Sequence, residues 1–514
     1  MGIILKQTIK SSVFSYLGIA VGFVTAVLLL PNLQSAAQIG LTRTLMAYAT
    51  IFVQFSSLGY NSAVIRFYPY FKESPQKQRA FLGFSSLVLL VGTALFLLIM
   101  VFGQGHILAQ IQENAQHEST NAKTEMAMLQ SYFWLMIPLV FFQLFFNFFD
   151  NYCRAMYDSV TGVFLKEFSQ KFFILLAILG FWLGWYGFEG FLYAWTLAIM
   201  LPLMLIMATL WANGHLTWSF DISSILADKP LLKQMASFAF FSILTGLSTN
   251  LIAQIDQIMV TNYKLLSAAG IYGTCMLFGE VIQKPASSIV RIANSLIVEA
   301  FKENNLEIIA DIYRKSCLNL LIFGTLVYVG IVANLDTLLS FMKPEFATGR
   351  YVIIIIGVGR LIDMATGVNG SILNSSKFYK YDTAFFVLLI GLVYGFNVWL
   401  IPPYGINGAA LAATLSYAFF NIFRSAFVYF AFGLQPFTWR NFAVIALGLS
   451  VYGLSCLLPK FDYLILGKAL PDLLLRSVFI TFLYVTLLLL LNISPEINFQ
   501  AQKFSKRLLR ILGR

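Results

Sequence analysis

The sequence predicts an all-α polytopic membrane protein of about 14 transmembrane helices: two pseudo-symmetric six-helix bundles followed by two C-terminal helices. Three observations predict it. The 514 residues are 59% hydrophobic and 11% charged, with mean hydropathy +0.78, whereas a soluble domain is about half apolar and about a quarter charged. Apolar runs of about 20 residues, the length that crosses bilayer hydrocarbon, recur from one end to the other. Short motifs of the first half return in the second half, in the same order.

The runs fall at 11–30, 41–64, 80–102, 127–149, 163–185, 188–211, 236–260, 270–293, 316–333, 351–373, 383–401, 406–430, 440–458 and 474–493. After the first comes LQSAAQIGL, where Ser35-Ala36-Ala37 reads either as a signal-peptide cleavage site or as a tight turn between two spans. The repeat decides. LLSAAGIYG, Leu265 to Gly273, sits 232 residues further on, after span seven. Upstream, Lys6-Gln7 with Phe14-Ser15 and Leu17 matches Lys233-Gln234 with Phe241-Ser242 and Leu244 at a spacing of 227, so span seven carries about five extra residues. Between spans five and six, YGFEGFLYAWTL at 186–197 matches YGINGAALAATL at 404–415, between spans eleven and twelve, with six of twelve positions identical. Three matches in one order make a duplication, and Ser-Ala-Ala becomes a structural turn used twice. The domains expected are 1–235, 236–432 and 433–514, the last holding spans thirteen and fourteen and a basic tail. In Tyr-Gly-x-x-Gly the glycines permit a short hairpin and close helix contact. No connection is long enough for a separate soluble domain; the longest are 103–126, 212–235 and 294–315.

An even span count puts both termini on one side. With the N-terminus inside, 24 Lys and Arg fall on cytoplasmic segments, 7 on external ones and 3 (Arg43, Lys284 and Arg360) within spans, the others toward span ends being counted with the adjoining segment. The richest cytoplasmic stretches carry Arg66, Lys72, Lys77 and Arg79, and, in the tail, Lys503, Lys506, Arg507, Arg510 and Arg514. The external 103–126 segment has one Lys against Glu113, Glu118 and Glu125. That is the positive-inside asymmetry of a membrane protein with both termini cytoplasmic. The net charge of +11 then reads as orientation and attraction to anionic membrane lipids, not as nucleic-acid binding. The tail KFSKRLLRILGR alternates basic and apolar residues at helical spacing, as a helix lying on the inner leaflet does. Cys153, Cys275, Cys317 and Cys456 show no C-x-x-C spacing, and His106, His117 and His215 form no metal-binding pair. No nucleotide-binding loop occurs. No metal and no cofactor is expected.

The twelve-span duplication, the two appended spans, the basic balance and the Tyr-Gly-x-x-Gly hairpin resemble the MOP superfamily of flippases and exporters. Within it, GLTRTLMAYATIFVQFSSLGYNSAVIRFYP, Gly40 to Pro69, is similar to the second span and following loop of bacterial polysaccharide-unit flippases of the Wzx type. The resemblance implies movement of undecaprenyl-pyrophosphate-linked oligosaccharide to the outer leaflet by alternating access. There it feeds polysaccharide polymerase machinery that builds O-antigen, capsule or exopolysaccharide. The appended spans weigh against twelve-span drug exporters of the superfamily, but not against fourteen-span flippases for the lipid-linked peptidoglycan precursor. The alternative from another class, a membrane polymerase or glycosyltransferase, needs an acidic pair in a sizeable external loop, and 103–126 has none.

Ionisable residues inside spans are costly and usually face a cavity or a partner. Span two carries Arg43 and Arg66; span eight carries Glu280, Lys284 and Arg291; span ten carries Arg360 and Asp363; span seven ends with Asp256 and span twelve contains Arg424. A pyrophosphate head needs cations to replace its hydration. Arg43, Arg66, Lys284, Arg291 and Arg360 are therefore the substrate-binding candidates. Glu280, Asp363 and Asp256 are the candidates for coupling to a proton or sodium ion. The bland readings are structural pairs for Glu280–Lys284 and Arg360–Asp363, interfacial positions for Arg66 and Arg291, and an anchoring role for Arg424. Trp182, Trp185, Tyr186 and Trp195 read as sugar-stacking or as an interfacial belt.

Overall fold

Each of the fourteen apolar runs is helical over most of its length in the computed structural model, which describes residues 2–115, 122–219, 221–284, 286–459 and 470–511. No strand occurs among the described residues. The chain forms two compact units, Met1–Gly273 and Thr274–Arg514.

In the first unit, α1 (Gly2–Phe23) continues through a π-helical segment, Val24–Leu29, into a last turn, Leu30–Leu33. Then come α2 (Ala36–Ser56), α3 (Tyr60–Phe67), α4 (Pro75–Ala115), α5 (Ala122–Tyr132) and α6 (Met136–Ala155). A short turn, Val160–Val163, and a second π-helical segment, Phe164–Ser169, lead into α7 (Gln170–Trp182), followed by α8 (Phe188–Ala212). Helix α9 (Lys229–Gln283) bends sharply at Leu265 and carries the chain out of this unit. The core is aromatic: Phe67, Phe81, Phe133, Phe148, Phe149 and Tyr152 are buried, and the Phe71 and Phe81 rings stack at 4.6 Å.

The second unit contains α10 (Ala286–Lys302), α11 (Leu306–Ala333), α12 (Arg350–Thr366), α13 (Asn369–Ser375), α14 (Tyr379–Phe432), α15 (Trp439–Cys456), α16 (Leu470–Leu490) and α17 (Pro495–Ile511). Helix α14 turns back at Gly405, with φ 56°. The two C-terminal spans, α15 and α16, pack on α11: Val444, Leu447, Val451 and Tyr484 bury against Leu318, Leu321, Ile322 and Val329. The Tyr484 hydroxyl donates to the Ile322 carbonyl at 3.0 Å. By length and composition, eight described helices suit a membrane crossing, nine if the bent pair α12–α13 counts as one. This count is lower than the number of apolar runs because α9 and α14 each hold two of the expected spans, and the helices of spans two, five and thirteen are not among the crossings.

The backbone departs from the expected spans at four places. Span two ends at Ser56: Leu58 and Gly59 take φ of 46° and 72°, and α3 starts afresh, so Arg66 lies on a separate short helix. Span eight ends at Gln283, which leaves Arg291 on α10. Span ten breaks at Gly367, φ 59°, with a 48° bend into α13. The 103–126 connection is largely helix, because α4 runs on to Ala115 and α5 resumes at Ala122. His117 and Glu118 lie outside the described residues.

Both duplicated motifs carry a physical task. Ser35 caps α2 in a reciprocal box: its hydroxyl accepts the Gln38 N–H, and the Gln38 side chain accepts the Ser35 N–H at 3.0 Å. In the second copy Gly270 stands where Gln38 would be. There a carboxylate, Glu125 of α5, takes the place of the missing amide acceptor, accepting from the Ser267 N–H at 3.0 Å and from the Ser267 hydroxyl. A Cβ on Gly40 would strike the Leu266 carbonyl, and one on Gly270 the Ala36 carbonyl. The two turns are thus pressed backbone to backbone, as small residues allow in membranes. In the other motif Gly190 makes room for the Tyr186 ring and Gly408 for the Leu400 carbonyl. Ser35-Ala36-Ala37 is the cap and first turn of α2, with Ala36 fully buried.

Candidate functional site

In the first unit a polar stripe runs between α2 and α9. The hydroxyls of Thr44 and Thr261 lie 2.7 Å apart, the Tyr48 hydroxyl donates to Asn262 Oδ1 at 2.9 Å, and Asn250 Nδ2 donates to Gln54 Oε1 at 3.1 Å. Arg43 projects from the same helix, half-buried, with its stem against Gly273; the absent Cβ at Gly273 also leaves room for Gln257 Oε1. Beyond the Leu265 bend, Gln257 Nε2 reaches the Ala269 carbonyl at 3.0 Å and the Tyr272 hydroxyl reaches Asp256 Oδ2 at 3.3 Å. Asp256 is therefore buried in a strap that closes the hairpin. Arg66 is exposed on α3, its guanidinium carbon 4.5 Å from the Phe238 ring centre, which puts it against an aromatic face rather than a carboxylate.

In the second unit the i,i+3 pair read from the sequence does not form. Asp363 instead accepts from two carboxamides: Gln283 Nε2 on Oδ2 at 2.9 Å and Asn421 Nδ2 on Oδ1 at 3.0 Å. Asn421 Oδ1 in turn accepts from Thr366 at 2.9 Å and from Asn369 at 3.2 Å. The break at Gly367 is what turns Asn369 toward α14. Arg360 lies one turn before Asp363, half-buried, its guanidinium carbon 5.5 Å from the Tyr417 ring centre and its stem over Gly279. Its Nε is buried with no hydrogen-bond partner among the described residues. Glu280 is exposed and, among the described residues, has no ion-pair partner, so it does not neutralise Lys284, which is half-buried at the end of α9. Arg291 is exposed on α10.

Arg424 departs from the anchoring role. It is only 9% exposed and ion-paired with Asp382, itself 8% exposed. A Cβ on Gly370 would strike its guanidinium, so the glycine of α13 makes the space for the pair. Sequence reasoning passed over Gln283, Asn369 and Asn421 because uncharged amides give no hydropathy signal strong enough to stand out in an apolar run. Their spacing was available: Asn421 and Arg424 lie three apart, on one face of α14.

Residues 4–294 match the family model described as polysaccharide biosynthesis protein, which is more than half of the chain. The chain belongs to the polysaccharide biosynthesis protein family. No curated protein sequence matches it. Among solved structures, this family member is similar to a lipid II flippase MurJ in an inward closed conformation, with TM-score 0.70 and 13% identity, covering 99% of this chain and 100% of that one. It is also similar to an inward-facing multidrug resistance MATE family transporter of the MOP superfamily, with TM-score 0.57 and 13% identity, covering 84% and 95%. A third is a MOP superfamily transporter from Pyrococcus furiosus, with TM-score 0.53 and 11% identity, covering 83% and 96%. The polysaccharide biosynthesis protein thus has the fold of the MOP transporters: a multi-pass helical membrane protein.

Proposed function

We propose that this protein is a flippase that moves undecaprenyl-pyrophosphate-linked oligosaccharide units from the cytoplasmic to the outer leaflet of the bacterial cytoplasmic membrane, where polysaccharide polymerase machinery takes them up. The observation that carries the reading is the polysaccharide biosynthesis family match over residues 4–294. The span-resident cations Arg43, Lys284 and Arg360 serve the polyanionic head. Arg66 and Arg291, exposed outside the long apolar helices, serve its approach from an anionic membrane surface. Asp363 is the strongest of the coupling candidates for a proton or sodium ion, because its carboxylate is held by neutral donors alone among the described residues. Glu280 and Asp256 are the others, with Asp256 already engaged by Tyr272.

One observation favours a second reading, the lipid-linked peptidoglycan precursor: the MurJ structure is matched along its whole length, α15 and α16 included. Reconstitution separates the two. Liposomes holding the purified protein are loaded with a fluorescent pyrophosphate-linked oligosaccharide or with lipid II, and transfer to the opposite leaflet is read by lectin or antibiotic capture. Transfer of the oligosaccharide lipid supports the proposal, and transfer of lipid II alone replaces it with the second reading. Transfer of neither ends both. Arg43→Ala, Lys284→Ala and Arg360→Ala should each stop transfer while inserting normally; full transfer by all three would remove them from the site.

A further inference from the structure

A cation outside those candidates stands in the first unit. Lys166 lies on the π-helical segment Phe164–Ser169, six residues after the helix begins at Val160. Its side chain is exposed, and Nζ donates to Asn147 Oδ1 on α6 at 3.3 Å. Asn147 lies eight residues before the end of α6 at Ala155, so it sits about 12 Å from that end at about 1.5 Å per residue. The Lys166 backbone lies only about 9 Å from its own helix start by the same measure. Residues 156–159 join the two ends tightly. The ammonium therefore reaches inward along the bundle, opposite to a lysine snorkelling toward the headgroups.

The nearby carboxylates are already engaged. Asp150 holds Arg154 at 2.7 Å and Glu167 holds Lys171 at 3.1 Å. Among the described residues, Lys166 has no carboxylate partner, only the neutral Asn147 oxygen, and the Asn147 amide N–H groups have no acceptor. An ammonium without a direct ion pair at that depth is costly unless water or an anion meets it. The backbone is adapted to put it there. π-Helical segments inside α-helices are frequent at functional sites, and here the Glu167 carbonyl comes so close to Gly18 of α1 that a Cβ could not fit. Two ammonium protons and an amide on one side, beside carboxylates already ion-paired to Arg154 and Lys171, suit a phosphoryl group.

We propose that Lys166 and Asn147 bind the phosphate of the lipid-linked substrate on its entry from the cytoplasmic side. The proposal rests on the flippase reading above and adds a contact to it. The test is binding of undecaprenyl pyrophosphate to the full-length protein in nanodiscs, for wild type, Lys166→Gln, Lys166→Arg and Asn147→Asp. Lys166→Gln should weaken binding about tenfold, the scale of one charge-assisted hydrogen bond. Lys166→Arg should stay within about threefold of wild type, because the charge is kept. Asn147→Asp removes no cation but gives Lys166 an internal partner, so it should weaken binding while its thermal unfolding matches wild type. Wild-type binding with unchanged affinity in Lys166→Gln and Asn147→Asp would overturn the Lys166 site alone. No binding by the wild type would overturn the flippase reading and this site together.

Discussion

At the scale of single residues, Asp363 shows what spacing reveals and what it hides. Three-residue spacing puts Arg360 and Asp363 on one helix face, yet the carboxylate turns to Gln283 and Asn421 while Arg360 lies over Tyr417. The position of the charges was legible in the sequence; their partners were not, because those partners are amides on two other helices. Asp363→Leu would leave two donors without an acceptor, at a cost of about 1–3 kcal/mol each, and should lower the unfolding temperature clearly. Asp363→Asn keeps the shape and should fold nearly as well, but its transport should no longer respond to an imposed sodium or pH gradient. A wild-type gradient response in that variant would take Asp363 out of coupling. The Arg424–Asp382 pair allows a second, purely structural expectation. Asp382→Asn leaves a buried guanidinium uncompensated and should destabilise by about 3–5 kcal/mol in thermal or denaturant unfolding. Asp382→Leu combined with Arg424→Met should recover much of that loss. A lipid-facing anchor would show neither effect.

At the scale of elements, hydropathy found the helices and missed their breaks. A run such as 41–64 is apolar on average, and the turn inside it depends on the positive φ of Leu58 and Gly59, which no apolar average detects. The same holds for Gly367 in span ten. Gly59 does have a visible reason once the fold is known: a Cβ there would meet the Ala239 carbonyl of α9. The repeated turns were legible because duplication printed them twice, and their packing makes a sharp prediction. Gly270→Ala drives a methyl group into the Ala36 carbonyl, where backbone cannot yield as a side chain would. It should destabilise by about 1–3 kcal/mol. Gly391→Ala, in the interior of α14 with nothing within 4 Å of the new methyl, should be neutral or stabilising by up to about 1 kcal/mol, since alanine is the better helix former. Equal unfolding temperatures for the two variants would contradict the close approach of α2 and α9.

At the scale of the whole molecule, the charge asymmetry that orients the chain can be tested with residues it already contains. Cys153, Cys275 and Cys317 are buried, whereas Cys456 is exposed at the last residue of α15. With the N-terminus inside, odd-numbered spans run outward, so the end of span thirteen emerges on the external face. That assignment uses the whole count of spans between Met1 and Cys456, and an error of one anywhere in it would move the thiol to the cytoplasm. A membrane-impermeant maleimide added to spheroplasts should therefore label the native protein once, and Cys456→Ser should abolish the label. The mass of the modified peptide identifies the site. Labelling that appears only after the membrane is opened would overturn that count or the orientation, and an inverted orientation would move Lys72, Lys77 and Arg79 to the external face. The positive-inside rule would then fail for this chain, and the cytoplasmic entry assigned to Lys166 would have to become an exit.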